Sequence, residues 1–310
     1  MRRALWIFLA LLLLVACPWI GSRPPGEAGD FILWQLRVPR TLMAALVGAT
    51  LSLVGAVYQT VLGNPLAAPS TVGTTAGAAL GALVAIVFGL SASVGGLPIV
   101  AVAAFVGALA VTFLLTALAA NDRARVDDVL LMGVAIALAA GAISAGLQFT
   151  SDQIGLAKAV RWTLGHLPQV GYRGVLLIAP FTIVSAGLLL SQTRALEALV
   201  GGEDLAHAQG VNVTRVRTLT LGAGALGVSA VVAWCGPIAF VGLLVPHLTR
   251  KLFGTSRRVL LPASLILGAV FLALCDTLSR TLVPGREIPV GVFTAALGAP
   301  TLIWLVTRRT

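Results

Sequence analysis

From Thr41 to Asn121 the chain contains no Asp, Glu, Lys or Arg. A helix that crosses the hydrocarbon core of a bilayer needs roughly 20 apolar residues, so this one stretch is long enough for three crossings. In lipid each backbone N–H and C=O must be satisfied within its own segment or in a closed barrel. Further uncharged runs cover Ala4–Ile20, Val129–Ser151, Gly174–Thr193, Thr218–Thr249, Val259–Cys275 and Ile288–Thr307. Together they predict nine or ten spans, with Thr218–Thr249 readable as one long helix or two shorter ones. Composition agrees: 58% of residues are hydrophobic and 10% charged, with a mean hydropathy of +1.00, against about 25% charged in a soluble domain. The expected fold is an all-α polytopic membrane protein, residues 1–310 forming a single transmembrane domain.

A net charge of +10 does not point to nucleic acid, because the basic residues are scattered between apolar runs rather than clustered on one solvated face. Membrane topology accounts for them better. With the N-terminus cytoplasmic and ten alternating spans, Arg2, Arg3, Arg123, Arg125, Arg194, Arg215, Arg217, Arg250, Lys251, Arg257, Arg258, Arg308 and Arg309 fall inside. Arg23, Arg37, Arg40, Lys158, Arg161, Arg173, Arg280 and Arg286 fall outside and need a separate reason. Both termini are then cytoplasmic. Cys17, Cys235 and Cys275 lie in apolar segments without metal-ligand spacing, and read as small core residues. The run ending in Leu14–Cys17 has the look of a lipoprotein leader, but the rest of the chain is polytopic and Ala4–Ile20 reads as its first span.

Two interior features stand out. Gly73, Gly77 and Gly81 recur at helical spacing and give one face on which another helix can approach closely. "VLGNPLAAPSTVG" (Val61–Gly73) places Gly63, Asn64, Pro65 and Pro69 in the long uncharged stretch. These residues stop helices and free backbone groups. Either this segment lines or gates a water-filled path, with Gln59, Asn64, Pro65, Leu66 and Thr71 as its candidate residues, or it is a plain cytoplasmic turn.

"GGEDLAHAQGVNVTRVR" (Gly201–Arg217) breaks the apolar pattern differently. Glu203 and Asp204 place negative charge in the first turn of a short helix, complementing its dipole; Gly210 ends it. Arg215 and Arg217 then meet the next span at headgroup level. A structured cytoplasmic elbow of this kind suggests that something docks there. On the opposite face, Arg37, Arg40 and Arg280 sit where positive charge is disfavoured. Lipid snorkelling, pairing with Asp30 or, for Arg280, an i,i+4 pair with Asp276 would each explain them. An acidic docking partner would do so too.

Catalytic signatures are missing. The chain has no G-x-S-x-G, no H-E-x-x-H and no phosphate-binding G-x-x-x-x-G-K-[ST]. His166, His207 and His247 are far apart, so no shared metal is expected, and Asp276 is the single deep acid. An ion-coupled secondary carrier keeps an unpaired acid or a broken helix near the midplane; Asp276 has a basic residue four positions on. Work done with ATP would have to come from another chain.

Trp34–Gly81, Gly201–Arg217, "GPIAFVGLLVPHLTR" (Gly236–Arg250), Leu260–Arg280 and "REIPVGVFTAALGAPTLIWLV" (Arg286–Val306) together resemble the FecCD family, the permease subunits of bacterial importers for iron–siderophores, haem and cobalamin. The resemblance implies a type II ABC importer permease of about ten transmembrane helices in the bacterial inner membrane. It implies a second copy of the chain as partner, with the substrate path on the dimer axis. Two ATP-binding subunits on the cytoplasmic side would carry ATP and Mg, this chain holding no cofactor, and one periplasmic or lipid-anchored substrate-binding protein would dock outside. The segment at about 199–217 matches the family's coupling segment, which implies ATPase contact through Glu203, Asp204, Leu205, Ala206, Gly210, Val211 and Arg215. Arg37, Arg40 and Arg280 match arginines that, in the cobalamin member, receive acidic side chains of the binding protein. The implied cargo is an iron chelate, siderophore or haem, with cobalamin as the alternative and a secondary carrier as a remoter one.

Overall fold

The structure is a computed structural model that describes residues 2–21, 25–90, 92–94, 97–119, 126–169, 171–283 and 287–307. Arg23, Arg123, Arg125, Arg286, Arg308, Arg309 and the side chains of Arg2 and Arg3, all used in the topology argument, lie outside the described residues.

The chain is a helical bundle. Its N-terminal helix α1 (Arg2–Ala16) is followed by α2 (Glu27–Phe31), which runs through a π-helical turn (Ile32–Arg37) into α3 (Val38–Val61). The wide turn sits just before Pro39, whose ring has no N–H to donate to the Gln35 carbonyl. Next come α4 (Thr74–Val87), a two-residue ribbon pairing Ser93–Val94 with Leu97–Pro98, α5 (Ile99–Ala119) and α6 (Val126–Phe149). Then follow α7 (Gln153–Thr163), α8 (Gly171–Ser191), α9 (Thr193–Leu199), α10 (Glu203–Ala208) and α11 (Val213–Cys235). Finally α12 (Val241–Phe253), α13 (Arg257–Thr281) and α14 (Val290–Thr307) complete the chain.

Among the described residues six helical segments are long and apolar enough to cross a membrane, and three shorter apolar ones add Leu5–Trp19, Thr74–Val87 and Val290–Trp304. The uncharged Thr41–Asn121 stretch resolves into α3, α4 and α5, as its length requires. Thr218–Thr249 resolves into two helices, α11 and α12, broken by an extended stretch from Gly236. The break has a physical cause: Gly236 takes φ 67 and Pro237 follows it, so the α11 ladder cannot continue. α7, capped by the Asp152 carboxylate accepting from the Gly155 N–H at 2.8 Å, is a short helix that hydropathy alone does not announce.

α3 forms the axis. Its spanning window is 78% buried, against 22% for α6, because α8, α11, α12 and α13 surround it. Close approach depends on glycine. A Cβ at Gly48 would lie 2.1 Å from the Gly268 carbonyl oxygen, and one at Gly55 would lie 1.8 Å from that of Gly242. Gly77 and Gly81 behave as their spacing predicts, whereas Gly73, at φ 83, precedes α4 and approaches Gly133 of α6 instead of sharing their face. Gly77 and Gly107 oppose each other across α4 and α5, a Cβ on either falling 2.5 Å or less from the other's carbonyl.

Candidate coupling and docking sites

At one end of the bundle the elbow predicted at Gly201–Arg217 is a helix and its stop. Gly202 enters with φ 104, α10 runs Glu203–Ala208 with both acids in its first turn, and Gly210 closes it with φ 78. Val211 N–H donates to the Ala206 carbonyl and Gly210 N–H to that of His207, both at 2.9 Å. This paired closure needs a left-handed residue at position 210, which glycine supplies without steric cost. Glu203, Asp204, Leu205 and His207 face outward. Ala206 does not: it is fully buried, so it packs α10 down on the bundle and cannot itself touch a docked subunit. Arg217 also departs from expectation. Rather than meeting headgroups it is buried, and its Nη2 donates to Glu203 Oε1 at 2.5 Å.

A second tie sits beside it. Glu197 at the end of α9 accepts from the Arg257 backbone N–H at 2.5 Å and from Ser256 Oγ at 3.3 Å. A carboxylate thus caps the positive end of the α13 dipole. The elbow is fixed to α11 through Glu203 and Arg217, and to α13 through Glu197.

The candidate path residues lie at the same end. Asn64 Oδ1 accepts from the Leu66 N–H and Thr71 Oγ1 from the Ala68 N–H, each at 2.8 Å. Ala67 and Ala68 are buried while Leu66 is exposed. The Val61–Gly73 segment is therefore an ordered turn wedged against α12 and α6, where Pro69 meets Gly242, and Thr71 and Val72 meet Gly133. Gln59 does something no motif signalled. Pro246 has no N–H, so the Gly242 carbonyl loses its helical partner; Gln59 Nε2 donates to it at 3.2 Å, and Gln59 Oε1 accepts from Arg250 Nη2. Gln59→Leu is expected to strand a buried carbonyl and lower stability by about 1–3 kcal/mol. Thermal unfolding in detergent, compared with a Gln59→Glu variant that keeps the acceptor for Arg250, measures it.

At the opposite end the three candidate docking arginines come together, but not as free charges. Arg40 is 7% exposed; its Nε bonds Asp276 Oδ1 at 2.9 Å and its Nη1 bonds Glu287 Oε2 at 2.8 Å. Neither the expected Asp30 pairing nor an outward-facing guanidinium is formed: α3 carries Arg40 inward against α13. Arg280 makes the i,i+4 contact with Asp276 at 3.8 Å and donates to the Cys17 and Ile20 carbonyls at 2.6 and 3.2 Å. Arg37 donates to the Gly21 carbonyl at 3.2 Å. Asp276 is thus the shared acid of two cations and the anchor of α3 on α13.

A match to the FecCD transport family model covers residues 7–308. The chain belongs to the FecCD transport family. Among its relatives, the cobalamin import system permease protein BtuC of Halobacterium salinarum is 37% identical over 91% of this chain and 75% of its own. The hemin transport system permease protein HmuU of Yersinia pestis is 36% identical over 89% and 84%. A solved structure described as the inward-facing conformation of a metal-chelate type ABC transporter matches with a TM-score of 0.88 at 30% identity, covering 97% of this chain and 98% of that one. This FecCD protein is a multi-pass inner-membrane permease subunit of an ABC importer, a class of subunit that is not itself an enzyme.

Several features of this FecCD chain escaped the sequence. Glu287 and Gln169 beside Arg40, the Glu197 cap and the Gln59 bridge all join residues far apart in the chain. Asp276 carried a visible signal, a lone acid in an apolar run; its long-range partner Arg40 did not.

Proposed function

We propose that this permease subunit carries a metal chelate or corrinoid inward, and that α10 is the lever through which ATP hydrolysis in a partner subunit moves the spans. The observation that supports this most is the exposed acidic turn of α10 held on a buried Arg217 and, through α9, on the α13 N-terminus. Such a lever would transmit displacement rather than absorb it. Leu205, exposed on α10, with Asp204 and Arg215, is the surface offered to the ATPase, while Ala206, Gly210 and Val211 shape it from beneath. In this reading α12 serves as a further short span, giving ten with the nine apolar helices. Two copies of the chain, two ATPases and one binding protein form the working machine, with the α10 end cytoplasmic. Residues 59–71 stand beside the path, and Arg37 is the arginine best placed to meet an acidic binding protein.

An iron chelate such as haem or a ferric siderophore is the first reading of the cargo, and the likeness to HmuU and to the metal-chelate transporter supports it. Cobalamin is the second, favoured by the BtuC likeness. Proteoliposomes holding the permease with its ATPase and binding protein decide between them by ATP-dependent uptake of each labelled compound. Uptake that survives without ATP and collapses with an uncoupler would instead identify a secondary carrier. Leu205→Asp is expected to reduce uptake and substrate-stimulated ATP hydrolysis at least tenfold, equivalent to about 1.4 kcal/mol or more of lost coupling. Binding-protein affinity at the other end should stay unchanged; equal loss of both would refute the lever.

A further inference from the structure

Beside the Arg40 ion pair, on its outward side in the proposed topology, lies a cavity of about 570 Å³ framed by α7, the loop before α8 and the start of α14. Its frame is fixed by backbone. His166 N–H donates to the Cys235 carbonyl at 2.8 Å and Gly291 N–H to that of Gly165 at 3.2 Å. A Cβ at Gly236 would meet the Trp162 carbonyl oxygen at 2.3 Å, so α7 is locked on the break between α11 and α12. The lining is unbalanced in charge. Arg40, Lys158 and Arg161 are its cations and Glu287 its acid. Glu287 is already committed, one oxygen to Arg40 at 2.8 Å and the other to Gln169 Nε2 at 2.8 Å, and Asp276 behind it serves Arg40 and Arg280. Lys158 and Arg161 stand three residues apart on one face of α7, where like charges repel. Neither holds a salt bridge or hydrogen bond among the described residues. His166 adds a buried Nδ1 with no hydrogen-bond partner.

We propose that this cavity binds an oxyanion, carboxylate or phosphate, carried on the transported compound, so that the importer takes an anionic chelate. The proposal rests on the importer reading above and narrows its substrate class. Lys158 and Arg161 supply the unanswered charge, and Arg40 holds the floor. Burial and the fields of Arg161 and Arg40 lower the His166 pKa, so the positive charge of the wall comes from its lysine and arginines. A concave wall partly shielded from water strengthens such contacts over those of scattered surface lysines.

The test uses the complete importer complex in nanodiscs of zwitterionic phosphatidylcholine, without ATP, and two iron-55 probes: ferric citrate, which is anionic and carries carboxylates, and a ferric tris-hydroxamate, uncharged at the metal. Wild type is expected to bind ferric citrate about tenfold more tightly than the hydroxamate, a preference that shrinks with salt. Lys158→Gln with Arg161→Gln, both on the exposed side of α7, should erase the preference and leave hydroxamate binding as it was. Retention of the preference in that double variant overturns the proposal. So does its loss when phosphatidylglycerol is added to the wild-type discs, which would assign the cavity to lipid headgroups. ATP-driven uptake, measured separately in the same complex, reports on the importer reading, and its survival alongside either negative result confines the failure to the cavity.

Discussion

Gly55→Ala is expected to prevent the bundle from closing. The new methyl carbon would stand 1.8 Å from the Gly242 carbonyl oxygen and 2.6 Å from its Cα, and what must yield is backbone, not a side-chain tip. α3 would have to separate from α12, opening the seam that Gln59 and Pro69 also fill. Overpacking of this kind costs about 3 kcal/mol or more, and in lipid no hydrophobic force exists to press the helices back together. Size-exclusion chromatography of the detergent-solubilised protein should show loss of the monodisperse peak. Gly187→Ala on α8 and Gly222→Ala on α11, where a Cβ meets nothing within 4 Å, should leave that peak unchanged or raise stability slightly, since alanine favours helix over glycine. If Gly55→Ala behaved like those two, the packing of α3 on α12 would be refuted.

Asp276→Asn should be the other severe change. Asp276 is 1% exposed and answers both Arg40 and Arg280; the amide leaves two guanidinium groups facing each other with Glu287, half exposed, as the remaining counter-charge. Removing one member of a buried ion pair costs about 3–5 kcal/mol. The expected readout is a large fall in the thermal midpoint of the purified protein. Replacing all three buried members with apolar residues, Asp276→Leu with Arg40→Met and Arg280→Met, should recover much of it, because the penalty lies in the uncompensated charge rather than in the absence of the network. A triple variant as unstable as Asp276→Asn would mean that the network has a packing role beyond charge balance. The same network bears on docking: Arg40 is spent inside the chain, so charge reversal at Arg37 should slow association of an acidic binding protein, whereas reversal at Arg40 should act mainly through stability.

Local chemistry was enough to read a good deal of this protein. The uncharged run from Thr41 to Asn121 had to become helices because lipid offers its backbone no other partner, and its length set the number at three. Glu203, Asp204 and Gly210 marked the start and stop of α10 because dipole complementarity and left-handed φ are properties of single residues. The glycine spacing on α4 predicted its close neighbour. All of these signals lie within a few turns of chain.

What the tertiary structure decided lies between segments far apart in sequence. Arg40 looked like an outward cation from its position at a span entrance, and became a buried one because α13, 236 residues on, brings Asp276 to 2.9 Å. Ala206 looked like one more residue of a docking helix until the packing of α10 turned it inward. Lys158 and Arg161 were unexplained positive charges on the wrong side of a topology count. They become a binding wall once α7 is pinned to the α11 break and Glu287 is claimed by Arg40 and Gln169. Hydropathy and helix signals are sums over neighbours in the chain, so they fix which segments cross and where they end. Ion pairs, capping across helices and the balance of charge in a cavity depend on which faces meet, and that is settled by the close approach of backbones at Gly48, Gly55, Gly242 and Gly268.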